Sequence, residues 1–196
     1  MIHIYWHTTP SDDLLERADA WRAICATEVQ IWTPAHLPEL VTRAQATIAG
    51  VHEPDRVRHV ANIVRWFLLR DHGGVWADAD VTPLQPLGER LTSEQPWCAA
   101  FGDLPTPFMC GGPAGHSLWA RTLIAALTGR GTSPIASGGR LLARTANPGE
   151  LRLDPAALFS AHDSRGRELP LVPDGRLTDH AWATSGLSHS PRRTDG

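Results

Sequence analysis

Two aspartates one residue apart, Asp78 and Asp80, follow a Gly73-Gly74 pair and a short Val75-Trp76-Ala77 run. Side chains on a strand alternate with period two, so a D-x-D at a strand's end directs both carboxylates to one side. Paired carboxylates suit a hard divalent cation, Mn²⁺ or Mg²⁺. Such an ion neutralises a diphosphate and stabilises it as a leaving group. Upstream, Asn62 and Arg65 stand three apart and share a face if their segment is helical. A bare D-x-D is common in solvated loops. A glycine pair alone is usually a helix stop, and a lone arginine is usually a surface charge. The combination is more specific than any of its parts.

The surrounding elements must bring these groups together. From Asp55 to Asp71, apolar residues recur at Val57, Val60, Ala61, Val64, Phe67 and Leu68, which predicts an amphipathic helix. Gly73-Gly74 ends it, and the next strand delivers the aspartates. Near the start, Ile2 to Trp6 reads as a buried strand broken at Pro10. Ser11 is suited to cap a helix running to about Ile24, and Glu28 to Thr33 reads as a second strand. Strand, helix, strand opens an α/β sheet. Downstream, Trp97 to Phe101 reads as a strand and Gly111-Gly112-Pro113 as a turn. Ser117 to Leu127 and Arg140 to Thr145 read as helices, the latter preceded by Ser137-Gly138-Gly139. Past Asn147 the chain is rich in Pro and Gly, with β-like character near Leu169 to Val172. The expectation is one domain over residues 1–186 and a flexible C-terminal tail over 187–196.

Composition narrows the alternatives. At 196 residues the chain suits one domain with a self-sufficient core. A net charge of -3 gives no electrostatic case for nucleic acid or an anionic membrane. All 18 basic residues are arginine, which reads as coding bias, since so many forks cannot all serve phosphate. Eight tryptophans against one tyrosine stand out, and Trp often lines sites for flat or sugar rings. Three cysteines without a CxxC pair argue against a disulfide framework. No run of 18 apolar residues occurs, and the opening reads as a strand, not a secretory leader. The expectation is a reduced, cytoplasmic setting.

The string from Asn62 to Asp80, N-x-x-R-W-x-L-L-x-x-x-G-G-V-W-x-D-x-D, resembles the DXD region of glycosyltransferase family 32 and its relatives. Those include capsular-polysaccharide transferases, yeast-type mannosyltransferases and glucosylating toxins. The usual form there is S-D-x-x-R-Y-x-x-L-x-x-x-G-G-x-Y-x-D-x-D. Asn62 stands where that form has Asp, and Trp66 and Trp76 stand where it has Tyr; both aromatic exchanges are expected to matter little. The resemblance implies a GT-A-like single α/β domain with a mixed, mostly parallel central sheet flanked by helices. It implies hexose transfer from a UDP- or GDP-sugar to a hydroxyl on a glycan, lipid-linked or protein acceptor, with retention and with Mn²⁺ or Mg²⁺.

The same resemblance assigns roles residue by residue. Asp78 would touch ribose and metal, Asp80 would bind metal directly, and Arg65 with Asn62 would hold the donor sugar. Trp6 would stack on the nucleotide base, with His7 and Thr8 as further contacts. Gly111 and Gly112 lie in the Phe108–His116 stretch, which would face the acceptor. Ser137 and Gly138 resemble a T-G-P turn. The pair His180 and Ser185 resembles an H-x-x-x-x-S motif in which His180 approaches the metal. Two other classes remain open: a nucleotide-sugar-binding or degenerate transferase, and a phosphoesterase or nucleotidyltransferase using the same carboxylates.

Overall fold

The first apolar run forms β1 (Ile2–Tyr5), and its alternation is two-sided. Ile2 and Ile4 pack into one core, and Tyr5 into another. In this computed structural model, which describes residues 1–48, 55–129, 137–162, 167–170, 172 and 175–180, the sheet is therefore covered on both faces. Helix α1 (Asp12–Cys25) starts at Ser11, whose hydroxyl accepts from the Leu14 amide at 3.4 Å. It buries Leu14, Ala18 and Trp21 against the face carrying Ile2, Ile4, Val75 and Ala77. On the other face lie α2 (Pro38–Ala46), α3 (Asp55–His72), α4 (Ser117–Thr128) and α5 (Gly139–Thr145). Among the described residues, no helix is long and apolar enough to cross a membrane.

The remaining strands are β2 (Val29–Trp32), β3 (Gly74–Ala77), β4 (Val81–Pro83), β5 (Trp97–Phe101), β6 (Leu104–Gly112), β7 (Arg152–Pro155) and β8 (Thr178–His180). Six of them form one sheet in the order β2-β1-β3-β6-β5-β7. Only β6 runs against the others; the pairs β1–β2, β1–β3 and β5–β7 are parallel. The mixed, mostly parallel sheet flanked by helices is the architecture expected above. Strands β4 and β8 make a separate antiparallel pair, with Val81 opposite His180.

Three local expectations are corrected. Gly111 and Gly112 are not a turn: they end β6, opposite Val75 and Gly74. A Cβ on Gly111 would lie 2.6 Å from the Gly74 carbonyl oxygen, so close strand packing explains the glycine. The β-like stretch near Leu169 forms no strand at Leu169, Pro170 or Val172, and Pro170 has no N–H to give a ladder. Five tryptophans, Trp21, Trp66, Trp76, Trp97 and Trp119, are core residues with at most 2% exposure, which accounts for most of the Trp excess without a ligand.

Candidate metal and donor site

Helix α3 ends where Gly73 and Gly74 take positive φ values of 62° and 82°. A Cβ on Gly74 would stand 2.5 Å from the Met1 carbonyl oxygen, so this tight entry into β3 requires glycine. Strand β3 stops at Ala77, and the aspartates do not continue it. They lie in a turn closed by the Val81 amide donating to the Asp78 carbonyl at 3.0 Å. Strand alternation therefore does not bring Asp78 and Asp80 together; a turn and its neighbours do. The turn is anchored to β6 by the Asp78 amide, which donates to the Phe108 carbonyl at 2.9 Å.

Arg65 reaches this turn from α3. Its Nη2 donates to Asp78 Oδ1 at 2.7 Å, and its Nη1 donates to Asn62 Oδ1 at 2.6 Å. Asn62 Nδ2 donates in turn to Ser137 Oγ at 3.2 Å, and the Ser137 carbonyl accepts from Trp66 Nε1 at 2.9 Å. The guanidinium is 4% exposed and lies over two indoles, 4.7 Å from Trp76 and 5.4 Å from Trp66. Trp76 Nε1 adds a second donor to Asp78 Oδ1 at 2.6 Å. Each indole N–H thus has a specific acceptor here. A buried indole usually finds a partner for its N–H, but which partner is fixed only by the fold.

His180 comes from the other side. Strand β8 is held by the Leu177 amide donating to the Leu158 carbonyl at 2.7 Å and by its ladder with β4. The imidazole stacks on Phe108 at 4.5 Å with planes 1° apart. Its Nε2 lies 2.9 Å from Asp80 Oδ1, and both side chains are largely buried. Phe108 therefore supports both halves, through its carbonyl and its ring; sequence reasoning placed it only in an acceptor-facing stretch. One ligand atom from each of Asp78, Asp80 and His180 lies within 4.8 Å of the others. Two carboxylates and an imidazole are donors a divalent transition ion accepts. Both protein donors to Asp78 take Oδ1, and among the described residues nothing bonds Oδ2. The donor set thus fits a bound cation.

Elsewhere the predicted residues divide. Trp6 follows β1 on the carboxyl edge of the sheet, with its Nε1 donating to the Thr9 carbonyl at 3.2 Å and its ring 5.4 Å from that of His7. Thr8 lines a cavity of about 430 Å³ with Thr9, Pro10, Ile31, Thr33, Pro34, Ala35 and His36. Because β1, β2 and β3 are parallel, this cavity and Asp78 share the carboxyl edge. The chain leaves β1 toward β2 on one side, with β3 on the other. That reversal of strand order is where open α/β sheets bind ligands. Ser137 joins the Asn62 end of the network, and Gly138 caps α5 beside it. Gly111 and Gly112 are not brought to the site, since they pair with the start of β3, away from Asp78. Ser185 and the tail 187–196 lie outside the described residues.

No protein-family model matches the chain, and no curated protein matches it. Among solved structures it is similar to one titled "PaToxG Glycosyltransferase", with a TM-score of 0.55 at 12% identity. The likeness covers 74% of this chain and 66% of that chain, just under two thirds of its length. The fold resembles that of this glycosyltransferase. At this identity the likeness speaks for architecture, and the chemistry must be argued from the side chains.

Proposed function

We propose that the chain transfers a hexose from a UDP- or GDP-sugar to a hydroxyl of a glycan, lipid-linked or protein acceptor. Asp78, Asp80 and His180 would hold the divalent cation. The observation that carries this reading is the convergence of those three side chains at the carboxyl edge of a glycosyltransferase fold. When bound, the cation supplies positive charge to the departing diphosphate. Arg65 fixes the Asp78 carboxylate by one nitrogen while its partner Asn62 fixes the other, so the carboxylate is oriented before any ligand arrives. His180, stacked and buried, holds Asp80 in the same way. The cavity beside Thr8, at about 430 Å³, is of a size for a nucleoside, with Trp6 at its margin of the sheet. The donor set includes an imidazole, which favours Mn²⁺ over the more oxygen-demanding Mg²⁺.

The test is incubation with a panel of UDP- and GDP-hexoses and Mn²⁺, following release of the nucleoside diphosphate and the anomeric configuration of the product. The reading expects diphosphate release that stops in excess chelator and in Asp80→Ala, with retained configuration. Release of a nucleoside monophosphate, or turnover unaffected by chelator, would instead mark a phosphoesterase or a metal-free reaction.

A further inference from the structure

In the turn Asp78-Ala79-Asp80-Val81, the closing bond uses the Asp78 carbonyl and the Val81 amide. The carbonyl of Ala79, which belongs to the central peptide, takes no part in it. That peptide is the variable one in a four-residue turn. Rotating it converts one common turn type into another, and it re-aims the side chain that follows. Here the following side chain is Asp80. Among the described residues Ala26 is the sole non-glycine with positive φ, so Asp80 has the negative φ of a turn whose central peptide is not flipped. Aspartate tolerates positive φ better than most residues, so its own stereochemistry is a weak lock.

The lock comes from α1. Arg17 Nη1 donates to the Ala79 carbonyl in a short contact, and its Nε reaches Thr82 Oγ1 at 3.4 Å. One helical turn later, Trp21 Nε1 donates to the Val81 carbonyl at 3.3 Å. Two donors at i and i+4 on one face of α1 thus grip the turn from the side opposite α3. Neither touches a carboxylate. Arg65 orients Asp78 directly; Asp80 meets His180 at its tip, and the peptide behind it sets the direction from which it does so.

We infer that Arg17 is a positioning residue: by holding the Ala79 carbonyl it fixes the orientation of the Ala79–Asp80 peptide and so aims Asp80 at the cation. This rests on the metal reading above, and its test separates the two. Mn²⁺ dissociation constants are to be measured by the free-ion paramagnetic resonance signal for wild type, Arg17→Ala, Arg17→Lys and Asp80→Asn, with urea midpoints for each. Crystal structures of wild type and Arg17→Ala without metal complete the set.

Arg17→Ala should weaken Mn²⁺ binding about tenfold, in the range typical for removing an outer support of a metal ligand. Its central peptide should turn and Asp80 Oδ1 should leave His180. Arg17→Lys keeps a donor for the Ala79 carbonyl and should stay within about threefold of wild type. A merely structural tether would lower the urea midpoint of both variants without changing the Mn²⁺ constant. Wild-type Mn²⁺ affinity together with an unmoved turn in Arg17→Ala would overturn the inference. If wild type binds no Mn²⁺, the metal reading fails, and the metal-free crystal structures still decide whether Arg17 aims Asp80.

Discussion

The two ends of β3 solve opposite problems a few residues apart. At the Gly73-Gly74 end, His3 is fully buried; its Nε2 meets the Gly73 carbonyl at 2.8 Å and its Nδ1 accepts from Trp32 Nε1 at 3.1 Å. Burial, aided by the neighbouring His72, holds its pKa down to about 4, so the ring is neutral and both nitrogens are committed. At the Asp78 end, by contrast, two carboxyl groups and an imidazole face one another, and an Asp78 oxygen has no described protein donor. One end is closed by neutrality and close packing. The other gathers acidic and imidazole ligand atoms and leaves one Asp78 oxygen without a described protein donor, which is the state a ligand can complete.

Substitutions should therefore behave differently at the two ends. The largest effect is expected from Arg65→Lys. A single ammonium cannot span Asn62 and Asp78 or lie flat between Trp66 and Trp76, so donor turnover should fall by at least about a hundredfold. Steady-state assays with saturating Mn²⁺ check this, and activity near wild type would remove Arg65 from the site. Arg65→Ala should also destabilise the fold by about 3 kcal/mol in urea, the low end for breaking a buried pair, because Asp78 is 31% exposed.

The glycine end should respond to pH instead. The unfolded chain protonates His3 near 6.5, while the folded chain resists until about 4. Its contribution is thus fully present above pH 6.5 and is lost as pH falls from there toward 4. His3→Gln should make the difference in unfolding free energy between pH 7 and 4.5 smaller by roughly 2 kcal/mol. An unchanged pH dependence would mean that His3 is not held neutral by the fold.

A smaller effect belongs to the cavity edge. Trp6→Ala should raise the dissociation constant for UDP or GDP roughly 5- to 150-fold, the range for loss of one base–aromatic stack. Calorimetric titration reads it, and an unchanged constant would leave Trp6 as a packing residue at the end of β1. The smallest concerns Asn62. Its Oδ1 accepts from Arg65 and its Nδ2 meets a serine hydroxyl that can also donate, so Asn62→Asp should change donor turnover by less than about threefold.

Much of this was readable in the sequence. The α3 periodicity, the glycine stop and the order strand-helix-strand all follow from local patterns, and the family resemblance pointed to His180, which the fold brings beside Asp78 and Asp80. Geometry carried by distant elements was not readable. The aspartates sit in a turn gripped from elsewhere by Arg17 and Phe108, contacts between residues far apart in the chain that no spacing rule encodes. Helix α2 and strands β4, β6, β7 and β8 were missed: β6 carries Pro105 and Pro107, which argue against a strand, and the others are short and weakly patterned. The roles of Trp66 and Trp76 were legible only as aromatics, since an indole N–H reveals its acceptor only in the folded chain.

The central claim is that Asp78, Asp80 and His180 together bind the cation. Anomalous scattering from a crystal soaked in Mn²⁺ and UDP or GDP tests it most directly. The account predicts one Mn²⁺ peak within about 2.3 Å of an oxygen of Asp78, an oxygen of Asp80 and a nitrogen of His180, bridging to the diphosphate. A bound nucleoside diphosphate with no Mn²⁺ peak at these three residues would contradict it.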